Sequence, residues 1–148
     1  MKVLLQRVTS ASVEINGQVT GKIDRGLVVF LCAVKGDGDK DIDYLVRKVS
    51  QLRIFDDDQG KMNMSVRDIH GAILVVSQFT LAAATRKGNR PSFDNVEALD
   101  RAKELYAEFI QRLKNACIPV QTGMFAAMMA VSLINDGPVT IWLDSQEQ

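Results

Sequence analysis

Polar side chains follow directly on a short apolar, β-branched stretch in the middle of the chain. Residues 74–83 read LVVSQFTLAA, in which Ser77, Gln78 and Thr80 come after three apolar residues. Backbone N–H groups released where a strand ends can donate to a developing oxyanion, and those of Phe79 and Thr80 are the candidates. The Thr80 hydroxyl could act as a nucleophile only if a base activated it. The plainer alternative is that these polar residues merely mark the end of a strand.

The usual catalytic base and metal ligands are missing from the sequence. His70 is the one histidine, and in an extended chain it would lie about 23 Å from Ser77 at ~3.3 Å per residue, which rules out a Ser–His–carboxylate triad within one subunit. The run DDDQG at 56–60 lacks the spacing and closing glutamate of a calcium loop, so a hairpin turn is expected there. Neither a zinc-type cluster nor a nucleotide-binding glycine motif is found. An enzyme built on this chain is expected to work without a metal, a cofactor or a histidine base.

Composition predicts an ordinary soluble globular protein. The chain has 148 residues, 47% apolar and 24% charged, so one domain spanning 1–148 is expected. Its formal net charge of zero argues against a non-specific polyanion binder, although Arg86, Lys87 and Arg90 form one dense cationic patch in a polar loop.

Cysteine usage and apolar run lengths predict a cytoplasmic location. Cys32 and Cys117 form no C-x-x-C pair, and we expect both to be buried thiols in a reducing compartment. The apolar stretch at the N-terminus is too short for a signal peptide, and no run approaches the ~20 apolar residues that span a bilayer. We therefore expect no association with a membrane.

The pattern of apolar residues predicts strands before, between and after two helices. Such an order indicates an α/β fold, or α+β as the alternative, with a largely covered sheet. A two-residue hairpin turn is expected at Asn16-Gly17, and Asp94 with Glu97 resembles a capping box. The predicted strands are a hairpin within 3–23, then 26–34, 72–79, 125–134 and 139–144, and the predicted helices are 39–53 and 96–116. The last two strands flank a break at 135–138 that ends in Gly137-Pro138, a pair whose peptide isomer the sequence does not fix.

Two separated motifs resemble a known family. SQFTL at 77–81 and NDGPVT at 135–140 are similar to the two signature motifs of the D-aminoacyl-tRNA deacylases. The stretches QRVTSASVEINGQVTGKI, RIFDDDQGKMN, RPSF and TGMFAAMMAVSLINDGPVT also resemble that family and occur in its order. The resemblance covers essentially the whole chain, and neither signature motif departs from the family pattern.

The resemblance implies a homodimeric enzyme that hydrolyses the ester between a D-amino acid and the terminal ribose of tRNA, without a metal. Its fold is expected to be a β-rich layered core or barrel-like sheet with two main helices packed against it. The implied catalytic pocket takes residues from both subunits, and Ala102 and Phe125 would lie near the amino acid and the terminal adenosine. The pocket residues are Ser77, Gln78, Phe79 and Thr80 of one subunit, with Gly137 and Pro138 of the partner subunit joined by a cis bond.

An aminoacyl ester is already activated, so oxyanion donors and a positioned water suffice for its hydrolysis. We expect Ser77 and Gln78 to position the chain or the substrate. Because no base lies near Thr80 in the sequence, we favour a role for the ribose 2′-hydroxyl in orienting the attacking water. We expect the pocket to reject L-aminoacyl-tRNA by excluding the L side chain. Glycine has no side chain to exclude, so glycyl-tRNA should also be hydrolysed.

Two other functions are compatible with parts of this pattern. One is a different esterase of the tRNA end, such as a peptidyl-tRNA hydrolase, although the missing catalytic histidine and the Gly-Pro motif count against it. The other is a non-catalytic RNA-binding dimer, for which a more basic composition or exposed aromatic platforms would be expected.

Overall fold

The computed structural model describes residues 1–147 and is built mostly of strands. Within these residues it has eight strands, two α-helices and one 3₁₀ turn. The elements are β1 (Lys2–Ile15), β2 (Gln18–Ile23), β3 (Gly26–Cys32), α1 (Asp39–Gln51), β4 (Phe55–Asp56), β5 (Met62–Met64), β6 (Ala72–Ser77), the 3₁₀ turn Phe79–Ala82, α2 (Leu99–Asn115), β7 (Val120–Thr122) and β8 (Ala130–Asp144).

Six strands form one mixed sheet that curls until it is nearly closed. The connected strands follow the order β2-β1-β3-β6-β7. β2 pairs with residues 11–15 of β1 and β3 with residues 2–8, whereas β8 pairs along nearly the whole of β1. The β3–β6 and β6–β7 pairs are parallel, whereas β1 pairs antiparallel with each of its neighbours. Because β2 also packs against β6 and β7, the sheet is barrel-like. The predicted fold, a barrel-like sheet with two main helices, is confirmed.

The hairpin between β1 and β2 turns where the sequence predicts it. Asn16 and Gly17 have φ values of 51° and 79°, and two adjacent positive φ values are what a type I′ turn requires. This tight turn pairs Ile15 with Gln18 and fixes the register of the hairpin.

The central strands are apolar throughout because both of their faces are covered. Alternate residues of β3 and β6 point to opposite sides of the sheet, which creates two core clusters. Val29 and Val75 pack on the side of the helices with Leu45 and Phe109, whereas the smaller cluster lies on the other face. Its members are Val8, Ala11, Val13, Ile23, Val28, Leu74 and Val76.

Helix α2 begins three residues later than the apolar pattern predicts. Its N-cap is Ala98, and the predicted capping box of Asp94 and Glu97 is wrong. Asp94 accepts a hydrogen bond from the Ser92 hydroxyl, and the Glu97 carboxylate accepts one from the neighbouring Ala98 N–H. The chain before the helix instead lies against the end of β3, where the Glu97 N–H donates to the Ala33 carbonyl.

The two predicted C-terminal strands are one continuous strand, β8. Residues 125–129, predicted as strand, are not part of any strand: 125–127 form a turn in which Ala126 has a φ of 61°, and 128–129 are irregular. The break predicted at 135–138 lies inside β8, where the register of the pairing with β1 shifts between Gln6 and Ser10. The strand therefore passes through the Gly-Pro motif without ending.

One of the two cysteines lies where the sequence predicts and the other does not. Cys32 is buried at the end of β3, but Cys117 is exposed, so the prediction of burial is wrong for Cys117. It follows the C-terminus of α2 with a φ of 59°, in a turn at the surface and not on the apolar face of the helix.

The acidic run 56–60 forms the predicted hairpin turn between β4 and β5. The Asp57 carboxylate accepts hydrogen bonds from the N–H groups of Gln59 and Lys61, which places it inside the turn. Among residues 1–147, no three His, Cys, Asp or Glu side chains are grouped closely enough to hold a metal ion. The helices of this part of the chain are all too short or too polar to cross a membrane.

Candidate active site

A cavity of about 620 Å³ opens where β3 and β6 end side by side. These two strands are parallel, so their carboxyl ends reach the same edge of the sheet, which is where open α/β sheets place ligands. Six of the predicted site residues line this one cavity. They are Ser77, Gln78, Phe79 and Thr80 after β6, Ala102 on α2, and Phe125 in the turn before β8.

The strand ends at Ser77, two residues earlier than predicted, and the chain turns sharply along the cavity wall. The Gln78 N–H donates to the Leu31 carbonyl at 2.8 Å, which is the last main-chain hydrogen bond to β3. The Cys32 thiol at the end of β3 donates to the Phe79 carbonyl at 3.5 Å. Phe79–Ala82 then form a 3₁₀ turn whose first hydrogen bond runs from the Leu81 N–H to the Gln78 carbonyl. Such a turn leaves its first N–H groups without internal acceptors.

The N–H groups of Phe79 and Thr80 are therefore available as a pair of donors. Neither group has an acceptor among residues 1–147. Both belong to residues that line the cavity, and they are adjacent in the chain. Two adjacent, fixed and unused N–H donors can stabilise the negative charge that develops on a carbonyl oxygen under attack.

The Thr80 hydroxyl is held by an amide and not by a base. Gln78 Nε2 donates to Thr80 Oγ1 at 2.5 Å. Three titratable side chains line the cavity, those of Cys32, Glu97 and Tyr106. The Glu97 carboxylate accepts the N–H of its neighbour Ala98, and burial raises the pKa of the Cys32 thiol. Among residues 1–147, the only side chain bonded to the Thr80 hydroxyl is that of Gln78, which cannot take its proton.

Tyr106 ties helix α2 to the sheet beneath the cavity. Its hydroxyl donates to the Val75 carbonyl at 3.0 Å, and burial raises its pKa to about 12, so the phenol stays neutral. Its ring lies 5.4 Å from the ring of Phe125. Ala102 stands one helical turn before Tyr106 on the same face, and its small side chain leaves the cavity open.

The mouth of the cavity is apolar and exposed. Phe79 is 55% exposed, Leu99 is 64% exposed and Met128 is 93% exposed. Leu99 is the first residue of helix α2 and lies at the rim of the cavity. Exposed apolar side chains around a pocket are typical of a surface that another molecule covers.

Gly137 and Pro138 lie elsewhere on the protomer. They are in β8, both are exposed, and they do not line the cavity of their own chain. The peptide bond between them is cis. Asn135 Nδ2 fixes the segment from one side by donating to the carbonyls of Arg7 and Val139.

The side chain of Arg7 fixes the same segment from the other side. Arg7 Nε donates to the Asp136 carbonyl at 3.2 Å and lies 3.0 Å from the Asp136 carboxylate. Its Nη1 donates to the Ile54 carbonyl at 2.6 Å, and the residue is buried. Arg7 belongs to neither signature motif, although a cation that interrupts the apolar run of a strand could have pointed to it.

Sequence comparison places the chain in a family. The family described as D-Tyr-tRNA(Tyr) deacylase matches residues 4–144, and the chain belongs to it. The chain is 56% identical over 149 residues to a D-aminoacyl-tRNA deacylase of Magnetococcus marinus, covering 100% of this chain and 99% of the relative. It is 55% identical over 146 residues to a D-aminoacyl-tRNA deacylase of Persephonella marina, covering 99% of each. The family predicted from the two motifs is confirmed.

Solved structures share the fold. The structure titled c-Myc DNA Unwinding Element Binding Protein is 41% identical, with a TM-score of 0.93 over 97% of this chain and 98% of that one. A probable eukaryotic D-amino acid tRNA deacylase is 17% identical, with a TM-score of 0.78 over 96% of this chain and 97% of that one, which shows the same fold.

Proposed function

We propose that this protein hydrolyses the ester bond of D-aminoacyl-tRNA, releases tRNA and the free D-amino acid, and leaves L-aminoacyl-tRNA intact. The observation that carries the proposal is the pair of unused N–H groups at Phe79 and Thr80 on the wall of the cavity. Membership of the D-Tyr-tRNA(Tyr) deacylase family supports the same reaction. We further propose that the chain acts as a single domain in the cytoplasm.

In the proposed reaction, the carbonyl oxygen of the ester accepts from the N–H groups of Phe79 and Thr80. Water attacks the carbonyl carbon and forms a tetrahedral oxyanion, which these donors stabilise. The ester C–O bond then breaks, the ribose 3′-oxygen takes one proton of the attacking water, the second proton passes to solvent, and the amino acid leaves as a carboxylate. The neighbouring ribose 2′-hydroxyl orients the water. Gln78 holds the Thr80 hydroxyl in place and so fixes the turn that carries the donors.

The complete site requires a second copy of the chain. Gly137 and Pro138 are exposed and lie outside the cavity of their own protomer. The outer edge of β8 pairs with no strand among residues 1–147, and a long unpaired edge favours association. Ile134 and Trp142 of this strand are 62% and 44% exposed. A symmetric dimer through this region would bring Gly137 and Pro138 of the partner subunit to the cavity mouth.

Chiral selection follows from that arrangement. The main-chain carbonyl oxygens of the Gly-Pro unit accept hydrogen bonds from the ammonium group of the substrate. The same main-chain atoms occupy the space that an L side chain would need. Exclusion by rigid backbone explains how one site accepts many different D side chains without a specific contact to any of them.

Hydrolysis of D-tyrosyl-tRNA and L-tyrosyl-tRNA by the purified protein tests the proposal. We expect rapid release of D-tyrosine and no release of L-tyrosine above the spontaneous rate. Cleavage of N-acetyl-L-tyrosyl-tRNA would indicate a peptidyl-tRNA hydrolase instead. Binding of both charged tRNAs without cleavage of either would indicate a non-catalytic RNA-binding dimer.

A further inference from the structure

A basic loop rises from the rim of the cavity. We define it as residues 84–92, closed at its base by two hydrogen bonds, Ala84 N–H to Ser92 carbonyl at 2.8 Å and Ser92 N–H to Ala84 carbonyl at 3.0 Å. Gly88, near its tip, has a φ of 67°, a conformation that favours glycine. Its three cationic side chains, Arg86, Lys87 and Arg90, are all exposed.

The three cations of the basic loop are not neutralised by the protein. None of them forms an ion pair within residues 1–147, whereas Arg7 and Arg112 are each paired with carboxylates. Asp94, the acid that follows the loop, accepts from the Ser92 hydroxyl. Three unpaired positive charges within five residues are a local excess in a chain whose formal net charge is zero. This loop is suited to an anionic partner.

The basic loop is joined to the proposed oxyanion site on both sides. It starts two residues after the turn Phe79–Ala82, and the residue after it, Phe93, packs its ring edge-on to the ring of Phe79 at 5.0 Å between centroids. Arg86 is six positions after Thr80, so its Cα lies at most about 20 Å from that of Thr80. Arg90 is three positions before Phe93, the residue that packs on Phe79. The basic loop is therefore attached next to the cavity wall, where it can reach a polyanion whose end is bound in the cavity.

We propose that Arg86, Lys87 and Arg90 bind backbone phosphates of the tRNA acceptor end, next to the nucleotide that carries the ester. This inference rests on the proposed function. The basic loop carries two guanidinium groups and one ammonium group, and it has no aromatic side chain on which a base could stack. Such a loop is suited to bind phosphates and not bases. Contacts of this kind position an RNA irrespective of its sequence, so one loop can serve many tRNAs. With three contacts at most, affinity stays modest, in keeping with the neutral chain.

Two triple variants separate this role from a general effect of charge. R86Q/K87Q/R90Q removes the cations of the basic loop. K61Q/R67Q/K114Q removes the same number of exposed cations at positions that touch neither the cavity nor the basic loop. Thermal unfolding of both variants verifies that they fold like the wild type. Each is assayed on D-tyrosyl-tRNA and on D-tyrosyl-adenosine, a nucleoside ester that has no phosphate.

The loop variant should lose at least about tenfold in kcat/KM on D-tyrosyl-tRNA at low salt and keep the wild-type rate on D-tyrosyl-adenosine. The slope of log affinity for uncharged tRNA against log salt concentration should decrease in magnitude by about 2, because each lost phosphate contact contributes ~0.7. The control variant should behave as the wild type in both assays.

Equal activity of the loop variant and the wild type on D-tyrosyl-tRNA, with equal salt slopes, would overturn the inference. So would an equal loss on both substrates, because that would place the basic loop in the chemistry and not in phosphate binding. If the wild type cleaved neither ester, the proposed function would be wrong. The salt slope for uncharged tRNA would still decide the role of the loop.

Discussion

The guanidinium of Arg7 holds Asp136 by both its main chain and its side chain. Arg7 Nε donates to the Asp136 carbonyl and lies 3.0 Å from the Asp136 carboxylate, while Nη1 donates to the Ile54 carbonyl. Asp136 is the residue immediately before Gly137, so a buried cation on β1 sets the position of the Gly-Pro motif on β8. The register shift between these two strands lies at the same place.

Replacing Arg7 by lysine should therefore damage the site as well as the fold. Lysine keeps the charge but cannot donate to three acceptors in fixed directions. We expect a loss of about 1–3 kcal/mol in the free energy of unfolding, as for hydrogen bonds to charged groups. Activity on D-aminoacyl-tRNA should fall by more than the fraction of unfolded protein accounts for, as measured by kcat/KM beside urea denaturation.

Asp136→Asn is the matched control for that variant. It removes the carboxylate and keeps the carbonyl that Arg7 also contacts, so it should cost less stability and less activity than Arg7→Lys. Wild-type kcat/KM in a folded Arg7→Lys protein would show that the Gly-Pro segment is positioned without the guanidinium.

Tyr106→Phe should show how far the phenol stabilises the fold. The Val75 carbonyl also accepts from the Gly123 N–H, so it keeps a partner, and we expect a loss of only about 0.5–1.5 kcal/mol in the free energy of unfolding.

Burial raises the pKa of Tyr106 to about 12, above the value of about 10 for an unfolded tyrosine. The stabilisation from the neutral phenol is complete below pH ~10 and is lost as the pH rises towards 12.

The stability difference between the wild type and Tyr106→Phe should therefore narrow across that alkaline range and then change sign, because only the wild type has this phenol to ionise on unfolding. Denaturant unfolding at several pH values from 8 to 11.5 measures it. A difference that stayed constant with pH would mean that Tyr106 ionises as easily in the folded protein as in the unfolded one.

Most of the fold could be predicted from short sequence patterns, because the conformation of a turn or a covered strand depends on the residues within it. Asn16-Gly17 specifies its turn through two positive φ values, and the apolar run of β3 reflects a strand covered on both faces. The start of α2 was missed because a tertiary contact decides it. The chain around Glu97 bonds to the end of β3 at Ala33, and no local pattern contains that partner.

Only part of the candidate site could be predicted, because some of its residues are neighbours in the chain and others meet only in the folded protein. Residues 77–80 are contiguous, so one motif locates them, and the parallel ends of β3 and β6 explain why they line a cavity. Arg7 and Asp136 are far apart in the chain and meet only through the pairing of β1 with β8. The polar end of the apolar stretch is not a continued strand but a 3₁₀ turn, whose geometry frees the two N–H groups.

Thr80→Ala should keep substantial activity, within about tenfold of the wild type, because the backbone N–H survives the change. Thr80→Pro deletes that N–H, which forms no hydrogen bond within residues 1–147, and should lower kcat by about 10²–10³-fold. Single-turnover hydrolysis of D-tyrosyl-tRNA measures both effects.

A covalent ester between the amino acid and Thr80, trapped by acid quench, would contradict this view of Thr80 as a backbone donor. A companion substrate carries 2′-deoxyribose at its terminus and is charged at the 3′ position. It should be hydrolysed much more slowly than the ribose ester, and an unchanged rate would remove the 2′-hydroxyl from the mechanism.

Two inactive variants should restore activity when their subunits exchange. In its own protomer, a Cβ added at Gly137 would meet only Asn135 Oδ1 at 3.8 Å, so Gly137→Val should fold. In the proposed dimer its side chain would enter the partner's cavity and block it. A mixed dimer of Gly137→Val and Thr80→Pro has one intact site, so random exchange should recover about a quarter of the wild-type activity.

The control for that experiment is each variant mixed with itself, which should remain inactive. Exchange is followed independently with subunits that carry different affinity tags. Full exchange without any recovery would place Gly137 and Thr80 in the site of the same subunit.

Exclusion of the L side chain by main-chain atoms predicts that glycyl-tRNA is a substrate. Glycine has hydrogen at both positions of its α-carbon, so nothing on it can clash with the Gly-Pro wall, and it should be hydrolysed alongside D-alanyl-tRNA. L-alanyl-tRNA should be spared, because one methyl group pressed into a rigid wall costs ~1–3 kcal/mol even where the surroundings relax. Initial rates on glycyl-, D-alanyl- and L-alanyl-tRNA, measured with the same enzyme preparation, provide the comparison. If glycyl-tRNA proved as resistant as L-alanyl-tRNA, the cavity would have to recognise the D side chain by direct contact.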